Sequence, residues 1–343
     1  MDPGFPRPAG TARRPAPTRP CDDARVRPFR FLGLPGRDIV DRPQLTDLTR
    51  RAESIGYSAL VLPDHLLAQH APIPLLATVA ALTDRIRVGT FVLNVGLRHP
   101  AVLAQDLASL DVLSGGRLEV GIGAGWNRAE HAAIGLPFPP AGTRISRLAE
   151  ATAVLKGCFG EGPFSFAGEH YTITSYDGQP KPVQRPHPPL FIGGGGRRVL
   201  TLAGQQADIV GLAPRLQTDG LGAPRLDPQS LTAEATEQKI GWIRTAAGAR
   251  FDQLELNTYP TAGPVVVTDR ARAVTQERAD QLTARTGIEV TADQLLGSPH
   301  AFIGSVEGLT QKFQELRERF GISSIMVGEV DELAPVVERL AGT

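Results

Sequence analysis

The sequence predicts an α/β protein built as a (β/α)8 barrel, the TIM-barrel architecture, with loop insertions. Three observations carry that expectation. From Phe29 onward short apolar runs alternate with segments of helical period, the pattern of parallel strands joined by crossover helices. The runs form eight sequential strand-then-helix units, which favours a closed barrel over an open doubly wound sheet. A length of 343 residues, 41% of them hydrophobic, suffices for one large barrel with insertions. No internal repeat is visible.

The first strand is Phe29 to Leu34. Helix one has Asp41 as its N-cap, Pro43 in the first turn, Leu45, Leu48, Ala52 and Ile55 on one face, and Gly56 as the stop. Strand two, Ala59 to Leu62, leads to a helix from Pro74 to Thr83, and strand three is Ile86 to Val95. Pro100 opens a helix whose Leu103, Leu107 and Leu110 share a stripe, ended by Gly115 and Gly116. Strand four is Leu118 to Gly123. Ile145, Leu148, Thr152 and Leu155 mark the next helical face, and Phe164 to Thr174 alternates as a hairpin before strand five, Pro189 to Gly193. Strands six and seven are Asp208 to Leu212 and Leu254 to Thr258. The eighth, Ile322 to Val327, follows a helix carrying Val306, Leu309, Phe313, Leu316 and Phe320. Residues 125–142, 164–188 and 260–304 exceed a minimal barrel, and such surplus usually shapes an active site.

Composition narrows the function. Lys plus Arg and Asp plus Glu number 36 each, giving zero formal net charge, whereas a nucleic-acid surface normally leaves a basic excess. The longest apolar run, Val88 to Leu97, is interrupted and too short to span a bilayer. Cys21 and Cys158 lie far apart and encode neither a disulfide framework nor a cysteine zinc site, so a reducing cytoplasm is expected. Residues 1–28 are rich in Pro and Arg, lack large apolar side chains and read as a disordered tail preceding a single domain, 29–343. Arg13 and Arg14 lack the apolar stretch an export signal needs. Only four of the 36 basic residues are lysine, as in translation of a GC-rich genome.

Catalytic groups on a barrel sit at the carboxyl ends of its strands. Strand two ends in Pro63, Asp64 and His65, an anion and a tunable donor side by side, or a turn cap beside a satisfied loop histidine. After strand three come Asn94, Val95 and Gly96, then Arg98 and His99, where an ordinary turn with a solvated arginine is the plainer reading. Gly121, Ile122, Gly123, Ala124, Gly125, Trp126 and Asn127 end strand four. Its alternate glycines would let a flat ring approach the backbone, with Trp126 as a wall, or would serve close strand packing. They do not make a Rossmann fingerprint, because Trp126 stands where that motif needs glycine. The strongest signal is Gly193, Gly194, Gly195 and Gly196 followed by Arg197, Arg198 and a helical segment. Successive backbone amides beside a helix dipole form an anion cradle, read as one for phosphate rather than for nucleotide hydrolysis because the P-loop Lys and Ser or Thr are missing, or else a turn with solvated arginines. A histidine-rich zinc helix and a nucleophile elbow are also missing, which leaves the hard chemistry to a redox cofactor.

These motifs, in order on consecutive strands, resemble the luciferase-like monooxygenase superfamily, TIM barrels that bind FMN or the deazaflavin coenzyme F420. The likeness covers nearly all of residues 29–343 and is greatest for the F420-dependent oxidoreductases of actinobacteria. It implies hydride transfer between deazaflavin C5 and a small organic substrate, with Asp64 and His65 at the ring edge. It also places Asn94, Val95, Ile122, Gly123, Ala124, Trp126 and Asn127 around the ring, and Gly193 to Gly196 with Arg197 or Arg198 at the phosphate. It further implies a strained, frequently cis peptide near Asn94 and Val95. Some F420 dehydrogenases carry a glutamate proton donor where this chain has Ala124, so His65, His99 or Glu130 takes that role or no acid is needed. A homodimer is expected, with neither nucleic acid, membrane nor metal as partner. The alternatives are an FMN-dependent monooxygenase using oxygen and a non-catalytic flavin-binding barrel.

Overall fold

The structure, a computed structural model, describes residues 27–36, 41–66, 69–217 and 225–343. The predicted tail, but for its last two residues, lies outside them. Eight parallel strands close into a barrel: β1 (Arg30–Leu34), β2 (Ala59–Leu62), β3 (Arg87–Thr90), β4 (Leu118–Gly123), β5 (Leu190–Gly194), β6 (Ile209–Leu212), β7 (Glu255–Thr258) and β8 (Ile322–Glu329). Each pairs with its neighbours in chain order, β3 pairs with β4, and β8 returns to β1 from Arg30↔Ser324 to Leu34↔Glu329. Because all eight run the same way, their carboxyl ends gather at one mouth, where the loops listed above converge.

Local chemistry explains the frame. Helix α1 (Arg42–Ile55) starts where the Asp41 side chain accepts from the Gln44 amide at 2.9 Å and stops at Gly56, whose φ of 103° suits glycine. It is followed by α2 (Pro72–Leu82), α3 (Pro100–Leu113), the short α4 (Arg128–Ala133), α5 (Ala141–Phe159), α6 (Arg197–Gln206) and α7 (Ala233–Ala247). The core lies between this helical ring and the strands, with Leu76, Leu107, Leu148, Val154, Leu200 and Phe313 fully buried.

Two expectations need correction. Strand three is not continuous: β3 ends at Thr90, and a separate two-residue strand, Leu93–Asn94, pairs with the end of β4. The peptide between them, Phe91–Val92, is cis, three residues before the expected position. The glycines of β4 account for the close approach of this segment, since a Cβ on Gly121 would stand 1.9 Å from the Thr90 carbonyl oxygen and one on Gly123 2.7 Å from Val92. The long segment 260–304 also behaves differently from expectation. It folds into α8 (Ala271–Thr286) and α9 (Ala292–Leu296), and packs Leu231, Ala262, Ala279, Leu282, Val290, Leu295 and Ala301 into a second small core. None of it lines the mouth. Helices α10 (Val306–Phe320) and α11 (Ala334–Leu340) complete the ring, and the predicted hairpin is present as Phe164–Ala167 against Thr172–Tyr176.

Candidate active site

A cleft of about 560 Å³ opens at the carboxyl mouth, within the range of cofactor and substrate sites. Its polar centre is a pair. His65, just after β2, places Nδ1 2.9 Å from Oε1 of Glu130 on the first turn of α4. Asn127 fixes that turn by accepting from the Ala129 amide at 3.1 Å, and Trp126 lies edge-on to the imidazole with centroids 5.5 Å apart. The other ring nitrogen, Nε2, has no hydrogen-bond partner among the described residues.

Asp64 has a different task. Its side chain is almost fully buried and chelated by Arg98, Nη1 to Oδ2 at 2.5 Å and Nη2 to Oδ1 at 3.1 Å, while Oδ2 also accepts from the Asn94 amide at 3.0 Å. The carboxylate thus ties the loop after β2 to the turn after Asn94. Arg98 is not the solvated arginine of the plainer reading. Asn94 in turn accepts from the Gly96 amide at 2.9 Å and lies 3.0 Å from His131 Nε2. His131 donates from Nδ1 to the Pro137 carbonyl at 3.1 Å, so its Nε2 accepts from the Asn94 amide nitrogen.

Across the cleft, β5 runs through Gly193 to Gly196 into α6. All four glycines line the cleft. Gly194 and Gly195 are demanded by their own chain: a Cβ would stand 2.3 Å from Val199 Cγ1 and 2.2 Å from the Pro214 carbonyl oxygen, respectively. A Cβ on Gly196 would meet nothing, and no side chain caps α6 there. The first amides of α6 are therefore left to a ligand. Arg198 and Arg144 also line this side; burial holds the Arg144 guanidinium below its ordinary pKa, and its Nε is buried with no partner among the described residues. An uncapped helix start, an open glycine and an orphaned arginine nitrogen fit the phosphate of a flat, phosphorylated cofactor.

Of the residues singled out in the sequence, the cleft brings together Asp64, His65, Asn94, Gly123, Ala124, Trp126, Asn127, Glu130 and Gly193 to Gly196. It leaves out four. His99 is exposed, caps α3 through the Ala101 amide at 3.3 Å and meets Tyr171 edge-on; Val95 and Ile122 face the core; Arg197 is exposed while Arg198 takes the lining position. Sequence reading missed Arg144, the clamp by Arg98 and His131, and the apolar floor of Leu34, Phe91, Phe191, Tyr259 and Met326. Tyr259 had a signal, since it directly follows the seventh strand. Arg144 had none.

No group of three or more His, Cys, Asp or Glu that could hold a metal occurs among the described residues, and no helix there is long and apolar enough to cross a membrane. The sequence profile of the luciferase-like monooxygenase family matches residues 28–324, and the chain belongs to that family. It is 33% identical over 266 residues to an F420-dependent glucose-6-phosphate dehydrogenase of Nakamurella multipartita, covering 73% of this chain and 72% of that one. It is 36% identical over 140 residues to an FMNH2-dependent dimethylsulfone monooxygenase of Pseudomonas putida, covering 41% of this chain and 38% of the relative. The fold matches the F420-dependent tetrahydromethanopterin reductase of Methanopyrus kandleri with a TM-score of 0.69 at 20% identity, over 92% of this chain and 97% of that one.

Proposed function

We propose that this chain is an F420-dependent oxidoreductase acting on a small organic substrate. The observation that carries the reading is the His65–Glu130 pair at 2.9 Å, set in one cleft with the open start of α6. The likeness to an F420-dependent dehydrogenase over 73% of the chain supports the choice of cofactor.

When bound, the deazaflavin supplies hydride donation and acceptance at C5. The protein supplies the rest. Gly193 to Gly196 and the α6 amides hold the phosphate, with Arg144 and Arg198 adding charge. Asp64, Arg98 and Asn94 lock the two loops beside the cleft, and Trp126 would help to exclude water from it. His65 Nε2 would give or take the substrate proton that balances the hydride chemistry the cofactor supplies. Glu130 orients the imidazole and stabilises its charged form, which answers the Ala124 departure.

A second reading, an FMN monooxygenase, is favoured by the similarity to the dimethylsulfone enzyme. Titrating the pure protein with F420 and with FMN, followed by each cofactor's own absorbance, separates the two. Tighter binding of F420 and its turnover with a hydride donor or acceptor are expected. Tighter FMN binding supports the second reading, and binding of either without turnover supports a flavin-binding barrel.

A further inference from the structure

The cleft has two unlike halves. The two arginines that line it among the described residues stand at the glycine side: Arg198 Nη1 is 3.0 Å from where a Cβ on Gly142 would stand, at the start of α5, the helix that bears Arg144. The barrel side is a box of Leu34, Phe91, Phe191, Tyr259 and Met326. The Phe91 ring lies 4.8 Å from Phe191 and 5.1 Å from Tyr259, perpendicular to the latter. Leu34, Phe91 and Tyr259 rest on Leu32, Ala59, Val61 and Met326 inside the barrel.

On this side no cation lines the cleft among the described residues, and the acids are already engaged, Asp64 by Arg98 and Glu130 by His65. A phosphorylated or carboxylated substrate would bury its charge against aromatic rings, with no cation lining that side among the described residues to pair it. An apolar molecule would instead exclude water from the box. One polar group interrupts the floor. The Tyr259 hydroxyl has no hydrogen-bond partner among the described residues, and burial pushes the phenol up to about 12, so it stands protonated as a donor at neutral pH.

We propose that the barrel half of the cleft selects an uncharged, largely apolar substrate carrying one hydrogen-bond acceptor, such as a carbonyl oxygen, and that Tyr259 donates to that acceptor. The inference rests on the reading that the glycine half holds the cofactor. It separates this chain from enzymes whose substrates are sugar phosphates.

The test uses the full chain loaded with F420 and three probes: benzylacetone, an apolar ketone; butylbenzene, of similar shape without the carbonyl; and glucose 6-phosphate. Binding is read by tryptophan fluorescence and by the shift in thermal unfolding, with cofactor uptake scored in the same samples by absorbance. The ketone should bind, the hydrocarbon roughly five- to tenfold more weakly, and glucose 6-phosphate not measurably. In a Tyr259→Phe variant that unfolds at the wild-type temperature, ketone and hydrocarbon should bind alike. Tighter binding of glucose 6-phosphate than of the ketone overturns the proposal, as does discrimination between ketone and hydrocarbon that survives in Tyr259→Phe. Failure to take up cofactor counts instead against the oxidoreductase reading, since loaded protein is the starting point for the probes.

Discussion

The His65–Glu130 contact is a single 2.9 Å bond, but it couples two loops that leave the barrel at different strands. In a double-mutant cycle of His65→Ala and Glu130→Gln, read by thermal unfolding without cofactor, the coupling should be about 1–2 kcal/mol. Additive losses would mean that the pair does not form in solution. A second histidine sets an acid limit on stability. His300 is fully buried, and burial first, then the nearby charge of Lys239, pushes its pKa down to about 3. Between about 3 and the ordinary value of 6.5 the unfolded chain binds a proton that the folded chain does not, so stability falls as pH drops through that window and this residue has no effect above it. Unfolding in urea at neutral pH and near pH 4 should therefore show a wild-type loss that His300→Gln lacks, on the order of a few kcal/mol. Equal acid losses in the two proteins would contradict the burial.

At the scale of elements, the β5–α6 junction separates glycines that serve the fold from one that serves a ligand. Gly195→Ala puts a methyl group 2.2 Å from the Pro214 carbonyl oxygen, a backbone atom, and should destabilise the protein by about 1–3 kcal/mol. Gly196→Asp has open space around its Cβ and a good N-cap side chain, so it should leave stability unchanged or raise it by about a few tenths of a kcal/mol. The same carboxylate would occupy the amides of α6 and repel phosphate, and cofactor affinity should fall by about tenfold or more. Unaltered cofactor binding in a folded Gly196→Asp protein would remove the cradle from the site. The two readouts move in opposite directions, which a general loss of structure cannot mimic.

The whole barrel is polarised, with the candidate cleft at one end and a charged plug at the other. At the amino ends of the strands, Arg30 reaches both Glu255 oxygens at 2.8 Å and also binds Glu119, which accepts from Arg87 Nε at 2.6 Å. Burial alone would lower the Arg30 pKa, but Glu119 and Glu255 outweigh it and the guanidinium is raised. Removing the shared anion with Glu119→Ala leaves two arginines facing each other across the barrel floor and should cost about 3 kcal/mol of stability, measured by urea unfolding. Cofactor affinity should stay as in the wild type, because the plug and the cleft occupy opposite ends. A change in affinity without a change in stability would reverse that assignment.

The sequence by itself determined the barrel, its eight strands in order, the punctuation of α1 and α3 and the candidate loops at the strand ends, because these follow from local periodicity and turn residues. His65, Trp126 and the glycine run were legible for the same reason, since each follows the end of a strand, whereas Glu130 came forward only through the family resemblance, as one substitute for the acid that Ala124 replaces. Only the tertiary structure decided how they are used. The sequence cannot reveal that Arg98 closes on Asp64, that Gly121 and Gly123 make room for the Thr90–Val92 segment, or that Phe91, Phe191 and Tyr259 meet in one box, since these partners come from different strands. The segment 260–304 shows the same limit. Its length suggested a role at the mouth, but its apolar residues gain more by packing on one another than by facing water, and that choice depends on neighbours brought together only when the barrel closes.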